Sequence, residues 1–438
     1  MSKGLSKLDV IALVIGAVIG WGSFYLPGNK FLPEAGVLNT AIGFLVGGVL
    51  IYAIQVGYHT MMFQHQEQGG EFSYTLVHLG KKHGFVVGWA LSFCYLTLIS
   101  LNATAVVLVL KEVLGSVSYG YLYTIAGYPV YLSEIGIGMG IIYLFYWINK
   151  RGLVLSMTFQ KILIISLVAT VFLLSMWMFY RSDRQQFYHQ YIASYHFDFA
   201  AIIRVVAIIP FLFVGFDIVP QVMTDLGFSI KVATKVTLLA TTVGVLIYNL
   251  LNLMTAFAYS PDQAKTLAWA SGSAVLTHAG WLGFGALCIA LFAAVVGGIN
   301  GFLIASSRVV ASLALYELLP GRYQQTNQYQ VAENALKFVS LIAAVLLFLG
   351  REVILYIVDL SSLMAAVTYA YVCFISAGLA KRLVDRRLSQ LGVVISFFFI
   401  GLLLVPGSPS QLGSISMGIL VGWILLGLLY FKVTGNRK

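Results

Sequence analysis

Long runs of apolar residues, separated by short polar or basic clusters, follow one another from about residue 8 to about residue 431. A helix needs about 20 mostly apolar residues to cross the hydrocarbon core of a bilayer. On that measure the pattern predicts twelve spans. They fall at about 8–28, 39–63, 85–110, 129–149, 155–180, 200–222, 233–259, 281–307, 334–350, 353–380, 391–406 and 412–431. The predicted class is an all-α polytopic membrane protein.

Two of these runs are interrupted. The first reads Gly16-Ala17-Val18-Ile19-Gly20-Trp21-Gly22 and closes at Pro27-Gly28. A glycine costs about 1 kcal/mol in a helix interior relative to alanine, so three so close together loosen the helix. Backbone opened at membrane depth is tolerated only against protein or a water-filled cavity. The stretch has two readings: close helix packing through small residues, or a break whose free amides and carbonyls form half of a transport site. The sixth run contains Pro210, Gly215, Asp217 and Pro220. Each proline removes a helix hydrogen bond. The two interruptions lie five spans apart, the spacing of two five-helix repeats, and an odd number of helices inverts the second repeat. That match favours the functional reading.

Of the 438 residues, 60% are hydrophobic and 10% charged, against about 25% charged in soluble domains. The net charge of +10 raises the question of a nucleic-acid partner. The distribution of the charge argues against one. Of 26 basic residues, 18 fall on the side of the N-terminus and 7 on the other, with Lys161 inside a span. The positive-inside rule then puts both termini of a multi-pass cell-membrane protein in the cytoplasm. The excess charge faces anionic lipid head groups. Cys94, Cys288 and Cys373 all sit in spans without metal-ligand spacing and read as small buried hydrophobes. The sequence contains no metal cluster, nucleotide loop or nucleophile–base motif. An enzyme, a cofactor and a metal centre are therefore not expected.

Four motifs resemble the amino acid–polyamine–organocation permease superfamily, over most of spans one to ten. They are Ile19-Gly20-Trp21-Gly22-Ser23-Phe24, Gly69-Gly70-Glu71-Phe72-Ser73-Tyr74, Gly215-Phe216-Asp217, and Gly297-Gly298-Ile299-Asn300-Gly301-Phe302 with Ser306-Ser307-Arg308. The resemblance implies a leucine-transporter-like fold of five plus five inverted helices, with discontinuous helices 1 and 6. The transporter core would cover 1–380, with repeats at about 8–180 and 200–380. Residues 381–438 would add two accessory helices and a short tail. It also implies a secondary transporter working by alternating access on an amino acid. The substrate carboxylate would meet amides around Ile19, Gly20, Trp21 and Gly22, at the positive end of a half-helix. Its ammonium would meet carbonyls near Val18 and at Phe211, Leu212 and Val214, with Gly215 giving the backbone room.

Asn102 and Asn300 are candidate polar wall residues. Trp21 departs from the family pattern, which has a small residue between the two glycines; it faces either the cavity or the scaffold. Asp217, an intramembrane carboxylate, is the candidate coupling residue for protons, with Glu71 and Asp359 as second choices. Some members of the superfamily hold a lysine in the middle of helix five. Lys161 stands too early in its span for that role and is expected to snorkel to the interface. The expected mechanism is proton-coupled transport or exchange. An organic amine or polyamine substrate and a non-transporting amino acid sensor remain alternatives. Gly418, Gly422 and Gly427 suit close helix contacts in a monomer or a homodimer.

Overall fold

The computed structural model describes residues 4–408 and 410–435. It does not describe the side chains of 358, 359, 434 and 435, so the Asp359 carboxylate lies outside the described groups. Among the described residues, eleven helical segments are long and apolar enough to cross a membrane. The predicted span 8–28 is not one of them as a single helix. It is split into α1 (Lys7–Val18) and α2 (Trp21–Leu26).

Ser6 and Asp9 open α1 with a reciprocal capping box. Ile19 (φ −101°, ψ 91°) and Gly20 (φ −110°, ψ −157°) then run extended, and these two residues are the whole break. Pro27 does not close the segment as its position suggested. It begins a π-helical turn, Pro27–Phe31, that continues α2 without a stop. The chain continues as helix into α3 (Leu32–Gln64) and bends at Gly36, whose φ is 66°.

The short α4 (Gly70–Leu79) leads to α5 (Lys81–Leu114). A tyrosine-rich segment follows. It pairs β1 (Tyr121–Ile125) with β2 (Tyr128–Tyr131) in an antiparallel hairpin, a departure from the all-α expectation. Ala126 and Gly127 both take positive φ, the geometry of a tight two-residue hairpin turn.

The chain then runs through α6 (Leu132–Lys150), α7 (Leu153–Arg181), α8 (Arg184–Phe187), α9 (Phe199–Phe213) and α10 (Ile218–Gln221). The second half holds α11 (Ile230–Ala256), α12 (Pro261–Thr266), α13 (Ala270–Leu315), α14 (Glu333–Leu346) and α15 (Gly350–Leu379). Two last helices follow, α16 (Leu383–Leu404) and α17 (Ser414–Gly435). Pro210 lies inside α9, and that helix opens only after Phe213.

The broken helices sit at the centre. α1 packs against α7, α11 and α13, while α5 packs against α13 and α15. One apolar core runs through all of them. Gly427 is spent within the chain: a Cβ there would stand 2.7 Å from the Trp89 indole nitrogen on α5.

Candidate functional site

The two breaks meet. Gly215 adopts φ +136°, a region that side chains rarely enter. A Cβ on Gly215 would also lie 2.6 Å from the Ala17 Cβ and 3.0 Å from the Val18 nitrogen. The open stretch of span six is thus pressed onto the end of α1. Gly16 serves packing instead, since a Cβ there would overlap the Gln160 amide at 2.0 Å. The packing reading thus holds for Gly16, while Gly20 lies in the break itself.

At this meeting point lies a cavity of about 30 Å³, enough for roughly one water. Val18, Gly20, Trp21, Gly22, Asn102, Phe211, Leu212 and Val214 border it. Ile19 is fully buried beside it. Gly20 begins α2 with no side-chain cap, which leaves the first-turn amides at Trp21 and Gly22 without a side-chain partner. Ser23 takes up the Gly20 carbonyl through both its amide (3.2 Å) and its hydroxyl (2.6 Å). The Val18 carbonyl is already held by the Tyr248 hydroxyl at 3.2 Å. α9 ends at Phe213 with no capping bond from Val214, so its last-turn carbonyls have no onward donors.

Asn102 is the side chain most clearly aimed at the break. Its amide nitrogen donates to the Leu98 carbonyl at 2.9 Å. Its Oδ1 is buried without a partner, 3.0 Å from where a Gly20 Cβ would stand. Asn300 does not join it. Asn300 is fully buried away from the cavity, where Oδ1 accepts from Asn149 and Ser156 and Nδ2 donates to Gln160. The paired polar residues on α6 and α7 claim it before any substrate could.

A second cavity of about 400 Å³ opens beyond the first, towards Lys30, Leu355, Tyr356 and Gln411. Trp21, Leu101 and Phe211 border both spaces and form the partition between them. The open orientation of Trp21 is thereby fixed: it stands at the cavity's outer boundary. Its indole stacks on Tyr25, with centroids 4.9 Å apart, and carries the Arg351 guanidinium at 4.4 Å from the centroid. Arg351 is buried, and its Nη1 donates to Thr104 at 2.8 Å.

The opposite end is shut. Leu5 and Leu226 form an isolated parallel bridge, with Leu5 donating to the Asp225 carbonyl at 2.7 Å. Arg308 pairs with Asp225 at 2.7 Å. Lys161 does not simply snorkel: it pairs with Asp9 at 2.9 Å, tying α7 to α1. The side chain that reaches between α1 and α13 is its neighbour Gln160, which donates to the carbonyls of Ala12 and Gly297 at 3.2 Å each. A glutamine cannot titrate, so this position carries no proton.

Asp217 is buried on this shut side of the break and does not border the cavity. Its Oδ1 accepts from the Gly215 amide at 2.6 Å and its Oδ2 from the Tyr95 hydroxyl at 2.7 Å. Glu71, the second choice, lies nearby on α4. Its Oε2 accepts from the Gln221 amide, and its Oε1 has no partner. Burial and the neighbouring Asp217 carboxylate push the Glu71 carboxyl well above the usual range.

Sequence reasoning passed over Gln160, Gln221, Tyr248 and Arg351. Each is a polar group within or at the end of an apolar run, the signal that singled out Asp217.

Broken helices meet at a small central cavity inside a bundle of helices long and apolar enough to cross a membrane. A family description of amino acid permeases matches residues 5–429, and the chain belongs to that family. Over 133 residues it is 23% identical to the amino-acid permease RocC of Bacillus subtilis (strain 168), covering 30% of this chain and 28% of that protein. Over 176 residues it is 26% identical to the methylthioribose transporter of the same organism, covering 40% of this chain and 38% of that protein. The aligned stretches thus span well under half the length of these curated relatives.

Proposed function

We propose that this protein is a secondary transporter that moves an amino acid by alternating access, as a proton-coupled carrier or an exchanger. In this reading two inverted five-helix repeats cover about 8–180 and 200–380, and both termini are cytoplasmic. The larger cavity is then the outer vestibule, and the Leu5–Leu226 end is the closed cytoplasmic side. The carrying observation is the convergence of the uncapped start of α2, the uncapped end of α9 and the unpartnered Asn102 Oδ1 on one cavity. Amides at Trp21 and Gly22 suit a carboxylate, and the α9 carbonyls with Asn102 suit an ammonium. The space of about 30 Å³ is smaller than any amino acid. Substrate entry therefore requires the Trp21–Phe211 partition to swing and the cavity to widen.

A polyamine fits less well, because no carboxylate borders this cavity. A neutral hydroxyl-bearing solute is the second reading. The lining carries no charged side chain, and one relative is named as a methylthioribose transporter. Thermal stabilisation of the purified protein by amino acids, amines and neutral sugars, followed by uptake into liposomes, separates these readings. Stabilisation and uptake by an amino acid are expected. Response to polyamines or sugars alone overturns the proposal, and binding without uptake supports a sensor.

A further inference from the structure

The shut end of the molecule holds two carboxylates that join no ion pair among the described residues. Glu71 and Asp217 are 0% and 1% exposed. They are brought together by α10. Gln221, at its end, donates to Glu71, and Asp217 precedes it by four residues, one turn back along the same face. Gly70 makes the approach of α4 feasible, since a Cβ there would lie 2.6 Å from the Gln221 amide nitrogen and 3.0 Å from the Pro220 Cβ.

Among the described residues neither carboxylate joins an ion pair. The ionisable groups that interact with the pair are Tyr58 of α3, Tyr74 of α4, Cys94 and Tyr95 of α5, and Tyr369 of α15. None is a cation. Lys161 is paired with Asp9 and Arg308 with Asp225.

Several buried polar atoms at this spot are left without partners: Glu71 Oε1, Gln221 Oε1 and the Tyr58 and Tyr369 hydroxyls. Two adjacent carboxylates without a cation do not both stay ionised in such surroundings. Asp217 receives two hydrogen bonds, from Tyr95 and the Gly215 amide, which suits the anion. Glu71 receives one from Gln221 and faces the Tyr58 hydroxyl. A half-turn of the Gln221 amide would present Oε1 to a Glu71 hydroxyl, so this side chain serves both protonation states.

We propose that Glu71 and Asp217 form one proton-binding site. It holds a single proton, seated on Glu71, while this end of the transporter is closed, and releases it when α10 parts from α4. The inference rests on the proton-coupled form of the function proposed above. It places the proton apart from the substrate. Val214 borders the cavity, and Asp217, three residues on, belongs to the proton site, so the break in span six would link the two.

The test is an infrared titration of the protein in lipid nanodiscs, read at the carbonyl stretch of a protonated carboxylic acid. Wild type should show this band at neutral pH and lose it in one step as pH rises. Glu71→Gln, which keeps the side-chain shape, should remove the band. Asp217→Asn should move its midpoint to a tenfold or greater proton concentration, because the like charge is gone. A wild type without the band, or a band that both substitutions leave in place, overturns the shared site. Uptake into liposomes under an imposed pH gradient is measured alongside. A band that behaves as expected with uptake indifferent to the gradient keeps the site and overturns the proton-coupled reading instead.

Discussion

Asn102 and Gly215 show how single residues specify the centre of this fold. Asn102 satisfies its donor within its own helix and leaves its acceptor buried and unpaired. A buried acceptor without a partner is costly unless something comes to it. Asn102→Ala should therefore weaken substrate by about 1 kcal/mol, roughly fivefold in KM with kcat little changed. Uptake kinetics in liposomes read this, and an unchanged KM removes Asn102 from the site. Gly215 combines φ +136° with a 2.6 Å approach to Ala17. Gly215→Ala should lower stability by about 1–3 kcal/mol and abolish uptake, checked by thermal unfolding and transport. At this scale the sequence was legible where a residue type is demanded by backbone geometry. It was not legible where side chains compete for partners. Asn300 had the composition of a wall residue, but Asn149, Ser156 and Gln160 take up its amide.

At the scale of elements, each broken span borders the central cavity at its break. The twin interruptions were legible because glycine and proline carry fixed backbone consequences. The limits of the breaks were not. Pro27 looked like a stop, but the chain passes it in a π turn and α2 runs on into α3. Likewise, the span-six opening comes at Val214–Asp217 rather than at either proline. The shut end depends on few contacts. Arg308, 17% exposed, holds Asp225 beside the Leu5–Leu226 bridge. A partly buried pair of this kind contributes about 1 kcal/mol. Arg308→Gln should raise the population opened at that end about fivefold. Faster amide hydrogen exchange in segments 5–9 and 218–226 would report it. Unchanged exchange there would mean that the pair does not hold the closure.

For the whole molecule, the helical, multi-span class of the bundle followed from hydropathy, because every backbone group in a bilayer must be satisfied within the protein. The hairpin at Tyr121–Tyr131 escaped notice because it is short and lies outside the spans. Which end is closed was also beyond the sequence, since it depends on which side chains meet. Trp21 and Phe211 divide the two cavities, while the Gln221–Glu71 contact and the Arg308–Asp225 pair close the other end. Acid should favour this arrangement. The Glu71 carboxyl is raised in the folded protein. Its contribution is therefore complete below the unfolded value of about 4.3 and is lost as pH climbs through the folded value. The melting temperature should fall over that window, and Glu71→Gln should flatten the fall. An identical slope in both proteins would exclude Glu71 as its source.

The central claim is that substrate binds where the breaks of spans one and six meet. A structure of the protein in nanodiscs with a stabilising amino acid tests it most directly. The predicted result is ligand density between Gly20, Asn102 and Val214, with the carboxylate towards the Trp21 and Gly22 amides and the Trp21 ring displaced. Density confined to the vestibule beyond Trp21, with the central cavity unchanged, would contradict it.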